Sequence, residues 1–96
     1  MTTYAEADKA KPVIDALLGE RLAACIQVMP ITSHYIWKGD VQHEDEVLLL
    51  IKCKSIDYKR IEEMILSLHD YEVPEIVQIP ILDGNDRYLD WLADPK

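Results

Sequence analysis

Tyr35-Ile36-Trp37-Lys38-Gly39-Asp40-Val41-Gln42 sets two extended stretches back to back around a glycine, and its reading decides the fold. Ile31 to Trp37 on one side and Val41 to Lys54 on the other are rich in aliphatic and aromatic residues, so Lys38-Gly39-Asp40 reads as the turn of a hairpin, with Gly39 supplying it. In the second arm Val47 to Ile51 is an unbroken apolar run, which suits a central strand covered on both faces. Glu44, Asp45 and Glu46 before it, and Lys52 and Lys54 after it, are charged guards against aggregation. Upstream, Ala24 to Met29 reads as a strand that Pro30 interrupts.

Working outward, Ala5 to Arg21 places Ala10, Val13, Ile14, Leu17, Leu18 and Arg21-Leu22 at helical spacing, with Asp8, Lys9, Asp15 and Glu20 opposite. Thr3-x-x-Glu6 reads as a capping box, whereas Pro12 is comfortable only near a first turn, so two starts are open. Ser55 or Asp57 caps a second helix whose inward stripe is Ile61, Met64, Ile65 and Leu68. His69-Asp70-Tyr71-Glu72-Val73-Pro74 then forms a polar corner leading into a strand, Ile76 to Leu82, which Pro80 pushes toward an edge. Asp83-Gly84-Asn85 turns the chain, and Asn85 caps a short last helix carrying Tyr88, Leu89, Trp91 and Leu92.

The corner from His69 to Ile76, together with Glu20-Arg21-Leu22-Ala23-Ala24-Cys25, Tyr35-Ile36-Trp37-Lys38-Gly39 and Tyr88-Leu89-Asp90-Trp91-Leu92 in that order, resembles the CutA family of divalent-cation tolerance proteins. The resemblance runs from about Thr2 to Leu92 and covers the chain as a single domain, residues 1–96. It implies an α+β ferredoxin-like sandwich, βαββαβ plus a short C-terminal helix, assembled as a homotrimer through the long hairpin. It also places a first strand immediately before Thr2-Thr3, where only Met1 stands, so that strand is expected to be truncated and its neighbours left unpaired or bridged by a substitute.

Ninety-six residues build one modest core, which favours association with further copies. Ten Lys and Arg against eighteen Asp and Glu give a formal charge of −8, and no basic cluster exceeds Lys59-Arg60, so nucleic acid is an unsuitable partner. No run approaches the roughly 20 apolar residues of a membrane span, and the N-terminus has no signal-peptide pattern, which together read as a cytoplasmic protein without a membrane partner. Cys25 and Cys53 lie in apolar runs and read as reduced core thiols.

His69 ends a helix, where a capping role competes with a metal role. Family members carry a copper site built from a first-strand cysteine and two adjacent histidines at this corner. Met1 and Leu68 stand at two of those places, so the resemblance implies no tightly bound cofactor, only a weak divalent metal, copper, at His69. His34 and His43 flank the turn, where solvated imidazoles are the common outcome, and Glu44-Asp45-Glu46 lacks the spacing of a calcium loop. Tyr35, Trp37, Tyr71, Tyr88 and Trp91 have polar handles suited to subunit contacts and cleft walls, and Glu46 and Lys52 offer opposite charges at a cleft rim; all seven are expected to bind in inter-subunit clefts, around a small molecule or a metal. The expected function is a trimeric binding protein of divalent-cation tolerance. A PII-like sensor with a small effector in the clefts is the second reading, on fold analogy, and an enzyme using Cys25 or His69 is the last.

Overall fold

A computed structural model describes residues 1–96. The chain runs β1 (Thr2–Tyr4), α1 (Ala7–Gly19), β2 (Cys25–Trp37), β3 (Asp40–Lys52), a 3-10 turn (Ser55–Asp57), α2 (Tyr58–Leu68) and α3 (Asp86–Ala93). The sheet is antiparallel in the order β1-β3-β2, and Ile76 bridges the free side of β1 opposite Thr2. Adding that bridge gives the ferredoxin-like order, with α1 and α2 packed together on one face.

The hairpin forms as the sequence dictates. Trp37 pairs with Asp40 across a two-residue loop in which Lys38 and Gly39 both have positive φ, 51° and 85°, the backbone of a type I′ turn whose twist matches the strands. Thirteen residues at about 3.3 Å each reach roughly 43 Å, which accounts for the 45 Å long dimension of the molecule. Pro30 does not interrupt β2, contrary to expectation. A two-residue hairpin closes on a pair that exchanges both bonds, and alternate counting from Trp37–Asp40 puts Pro30–Val47 at a non-hydrogen-bonded position. The missing N–H therefore points outward from the edge strand and costs the ladder nothing.

The first strand is Thr2–Tyr4 itself, paired with Leu49, Leu48 and Val47, whereas the resemblance placed it immediately before Thr2 and a helix start at Thr3 was one of two open readings. It is short, but it separates β3 from the Ile76 segment, so the sheet is closed between them at this level. The Thr3/Glu6 capping box does not form: Glu6 is the N-cap of α1 without a side-chain bond, and Pro12 lies inside the helix. Ala10, Val13 and Leu17 form the buried stripe of α1, while Leu18 falls off it, 42% exposed. The helix ends in a Schellman pattern, Leu22 N–H to Leu17 C=O and Arg21 N–H to Leu18 C=O, with Arg21 at φ 57° in the place glycine usually takes.

Neither Ser55 nor Asp57 caps α2 through its side chain; the preceding 3-10 turn leads the chain in instead. Ile61 and Ile65 of its stripe are buried and Met64 packs beside them, whereas Leu68 is 41% exposed. Asn85 does cap α3, its side chain accepting from Tyr88 N–H at 3.2 Å. The expected strand from Ile76 to Leu82 pairs only at its start, through the Ile76 bridge and two bonds between Met1 and Val77, and the rest has no ladder partner within the chain. The core gathers Tyr4, Ala10, Val13, Leu17, Leu22, Ala23, Leu49, Ile61 and Ile65 under the β1 end of the sheet, leaving the hairpin arm uncovered.

Candidate functional site

The polar corner after α2 folds back onto β1. His69 donates from Nε2 to the Thr3 carbonyl at 2.6 Å, and its Nδ1 accepts from Tyr71 N–H at 3.1 Å. Those partners fix the tautomer as Nε2–H. The ring is almost wholly buried, stacked on Tyr4 with centroids 4.0 Å apart, and Tyr71 tilts against its other side at 4.7 Å. Both nitrogens are thus engaged by backbone groups, and a metal at His69 has to displace one of them. As the C-cap of α2 His69 sits where a capping role was expected, but the ring reaches across to β1 rather than to its own last carbonyls.

Tyr71 carries the corner onward, donating its hydroxyl to Glu46 Oε2 at 2.7 Å. Burial first, and then that hydrogen bond, push the Tyr71 hydroxyl well above the ordinary tyrosine range. Lys9 holds Asp70 at 3.2 Å and keeps its carboxyl below its usual value. Tyr4, which the sequence reading left out of the site, is fully buried and its hydroxyl has no protein partner. Its pKa is pushed up to about 12, by burial foremost and then by the charge of Asp70.

That shift has a sign. The unfolded Tyr4 ionises near its ordinary value of 10.0, while the folded one holds its proton to about 12, so stability present below pH 10.0 is lost as pH rises through that window. Two units correspond to roughly 2 to 3 kcal/mol. Melts at about pH 9 and pH 11.5 are expected to fall less for Tyr4→Phe than for the unaltered chain, and near neutrality the substitution costs nothing because no bond is lost. An equally steep fall in Tyr4→Phe assigns the alkaline loss to another group.

At the opposite end of β3, Lys52 donates to the Tyr88 hydroxyl at 3.1 Å and lies 5.3 Å from its ring centroid, with Trp91 5.7 Å from Tyr88. Tyr35 and Trp37 lie farther along the hairpin arm, where Lys38 lies over the Trp37 ring at 5.6 Å and Tyr35 is close enough to Glu44 and Glu46 for its hydroxyl pKa to be raised, by desolvation foremost and then by those carboxylates. Glu46 and Lys52 are separated by six positions of one strand, about 20 Å. Within the chain the seven expected cleft residues therefore do not converge: Glu46 and Tyr71, with Tyr35 and Trp37 farther along the arm, lie toward one end of β3, and Lys52, Tyr88 and Trp91 gather at the other. Cys25 pairs with Lys52, far along the ladder from His69, and Cys53 is a free thiol raised by burial, so neither cysteine shares a pocket with the corner histidine. No group of three or more His, Cys, Asp or Glu side chains is gathered to hold a metal ion.

Beside Lys52 lies an apolar groove of about 800 Å³, in the gap between β3 and the Ile76 segment that a short first strand was expected to leave. Leu50 to Lys54 form one bank and Ile76 to Ile81 the other, with Ile61, Ile65, Leu89 and Leu92 beneath and Met1 at the end.

The model of the CutA1 divalent ion tolerance protein family matches residues 1–95. The chain belongs to the CutA family. It is 42% identical to the divalent-cation tolerance protein CutA of Thermus thermophilus over 98% of this chain and 92% of that one, and 34% identical to the Pyrococcus horikoshii CutA over 97% and 91%. The solved Thermus thermophilus structure superposes with a TM-score of 0.91, covering 97% of this chain and 91% of that chain. A periplasmic CutA of Archaeoglobus fulgidus also superposes at 0.91, with 30% identity, 95% of this chain and 89% of that one. These matches establish the α+β CutA fold and give no support to the PII-like reading. Relatives are named as tolerance proteins, and among them are periplasmic and chloroplastic forms. No helix of this chain is long and apolar enough to cross a membrane.

Proposed function

We propose that this CutA chain works as a cytoplasmic homotrimer that binds divalent cations, copper among them, as a tolerance or sensing protein and not as an enzyme. The observation that carries the assembly is surface. The chain exposes 6757 Å², against roughly 5,700 Å² expected of a compact monomer of this mass. Much of the excess is apolar: Val28, Met29, Ile36, Val41, Ile79, Ile81 and Leu82 are all exposed. The stretch from Gln78 to Leu82 is strand-like in sequence and lacks a partner, while the outer edge of β2 is unpaired, so addition of one copy's segment to another copy's edge satisfies both. In such an assembly Glu46 with Tyr71, Lys52 with Tyr88 and Trp91, and the Tyr35–Trp37 tip are brought to shared clefts open to a metal or small ligand. Two free cysteines favour a reducing compartment.

Light scattering at micromolar concentration is expected to return three times the subunit mass, and a clean monomer ends the trimer reading. Trp37→Ala is expected to weaken assembly by roughly 2 kcal/mol or more, as an aromatic anchor does; an unchanged dissociation midpoint makes Trp37 a local packing residue. Copper(II) at the corner is expected to bind weakly and to depend on His69, because one imidazole leaves most coordination positions to water.

A further inference from the structure

We propose that His34 and His43 form a two-imidazole chelate on the hairpin arm for a first-row transition ion such as Zn²⁺, Ni²⁺ or Cu²⁺. It is separate from the His69 corner. The inference deepens the reading of this chain as a divalent-cation binder and does not depend on the trimer.

Register brings the two together. His34 lies directly opposite His43, and counting from the Trp37–Asp40 closing pair makes theirs a non-hydrogen-bonded pair, the kind in which cross-strand side chains approach most closely. Their rings already face each other, with centroids 5.7 Å apart and planes 23° from parallel. Two nitrogens bound to one ion at 2.0–2.1 Å stand about 3 Å apart. Rotating the rings about their broad, two-fold χ2 wells turns a nitrogen of each toward the other and closes that gap without moving the backbone.

The surroundings suit a cation. Both imidazoles are exposed and neither has a hydrogen-bond partner of its own, unlike His69, whose two nitrogens are taken. The next pair on the same face is Thr32 and Asp45, and the Thr32 hydroxyl holds the Asp45 carboxylate at 3.1 Å, two residues from His43, where its charge favours an arriving ion. On the other side Ile36 and Val41 give no competing donor. Imidazole selects borderline transition ions over the hard Ca²⁺ and Mg²⁺, so the ligand class follows from the donor set, with water completing the coordination sphere. Each histidine alone binds weakly; the second one acts at the high effective concentration that a rigid ladder imposes.

Calorimetric titration of the full chain with Zn²⁺ and with Ni²⁺, alongside His34→Gln, His43→Gln, the double substitution and His69→Gln, tests the chelate. The expected result is one tightly bound ion per chain, a loss of at least tenfold in its affinity on either single hairpin substitution and little further loss in the double, whereas His69→Gln removes only the separate weak corner binding and leaves the tight phase in place. Mg²⁺ is expected to give no heat at the same concentrations. Unchanged affinity in both single variants, or two ions lost independently, overturns the chelate. Binding that vanishes only in His69→Gln overturns it while leaving the cation-binding reading intact, and no binding to any variant or to the unaltered chain overturns both.

Discussion

Four to six alternating apolar residues joined to Met1 are expected to raise the melting temperature by roughly 10 °C or more, because they turn a groove into a strand. Continuing the two registers upstream sets the first added residue opposite Ile51 and Gln78, and the next opposite Lys52 and Ile79. Those residues are the banks of the 800 Å³ groove, and Ile61, Ile65, Leu89 and Leu92 are its floor. The Met1 ammonium already occupies the place of a ladder N–H, donating to Val77 C=O at 2.9 Å, and partial burial lowers its pKa. An added strand replaces that charge by a peptide group, extends two ladders and buries several side chains at about 1.5 to 3 kcal/mol each before the entropy of ordering is subtracted. A Gly-Ser extension of equal length is expected to leave the melt unchanged. If the apolar extension also does nothing, the groove is not a strand site and the register argument fails.

Leu49→Ala is expected to cost about 3 to 5 kcal/mol, a large share of the roughly 5 to 15 kcal/mol that holds a typical domain folded. Leu49 is fully buried in the middle of β3, paired with Thr2 on one side and Val28 on the other, and it faces the α1–α2 layer. Leu48 and Leu50 point to the opposite face and are only half-buried in the single chain. Their truncation is expected to cost the subunit much less and to appear instead in the concentration dependence of the melt. Chemical denaturation of the three variants at two protein concentrations separates these outcomes; equal costs at all three positions mean that the two faces of β3 are equally buried by the chain itself.

Local chemistry was legible and distant pairing was not. Lys38-Gly39 announced its turn, Ile61, Met64 and Ile65 their stripe, and Asn85 its cap, because each signal lies within a few residues of its effect. Thr2–Tyr4 is made of strand-favouring residues, but three of them are too few to announce an element, and they become a strand because β3 and Ile76 offer edges on both sides. Pro30 was misread for a related reason, since a proline's cost depends on which way its nitrogen faces, and that is set by a turn seven residues on. At the corner the sequence supplied His69, Tyr71 and Glu46 as residues of interest, but the Thr3 carbonyl that holds the imidazole lies sixty-six positions away. The alternation in Ile76–Leu82 is real, yet a strand needs a neighbour, and past Val77 this chain does not provide one.

Pro30 also decides what kind of polymer the chain can avoid. The outer edge of β2 runs for thirteen residues, long enough to template a growing fibre of identical copies, and its outward groups would otherwise repeat without a break. A proline near the middle deletes one donor from that row, and Pro80 does the same in the segment best placed to add to it. Any strand added along either edge is thereby limited to a few bonds on each side of a gap, too short a run to zip into an endless ladder. The two imino acids interrupt the very edges along which copies of this chain could otherwise add without limit.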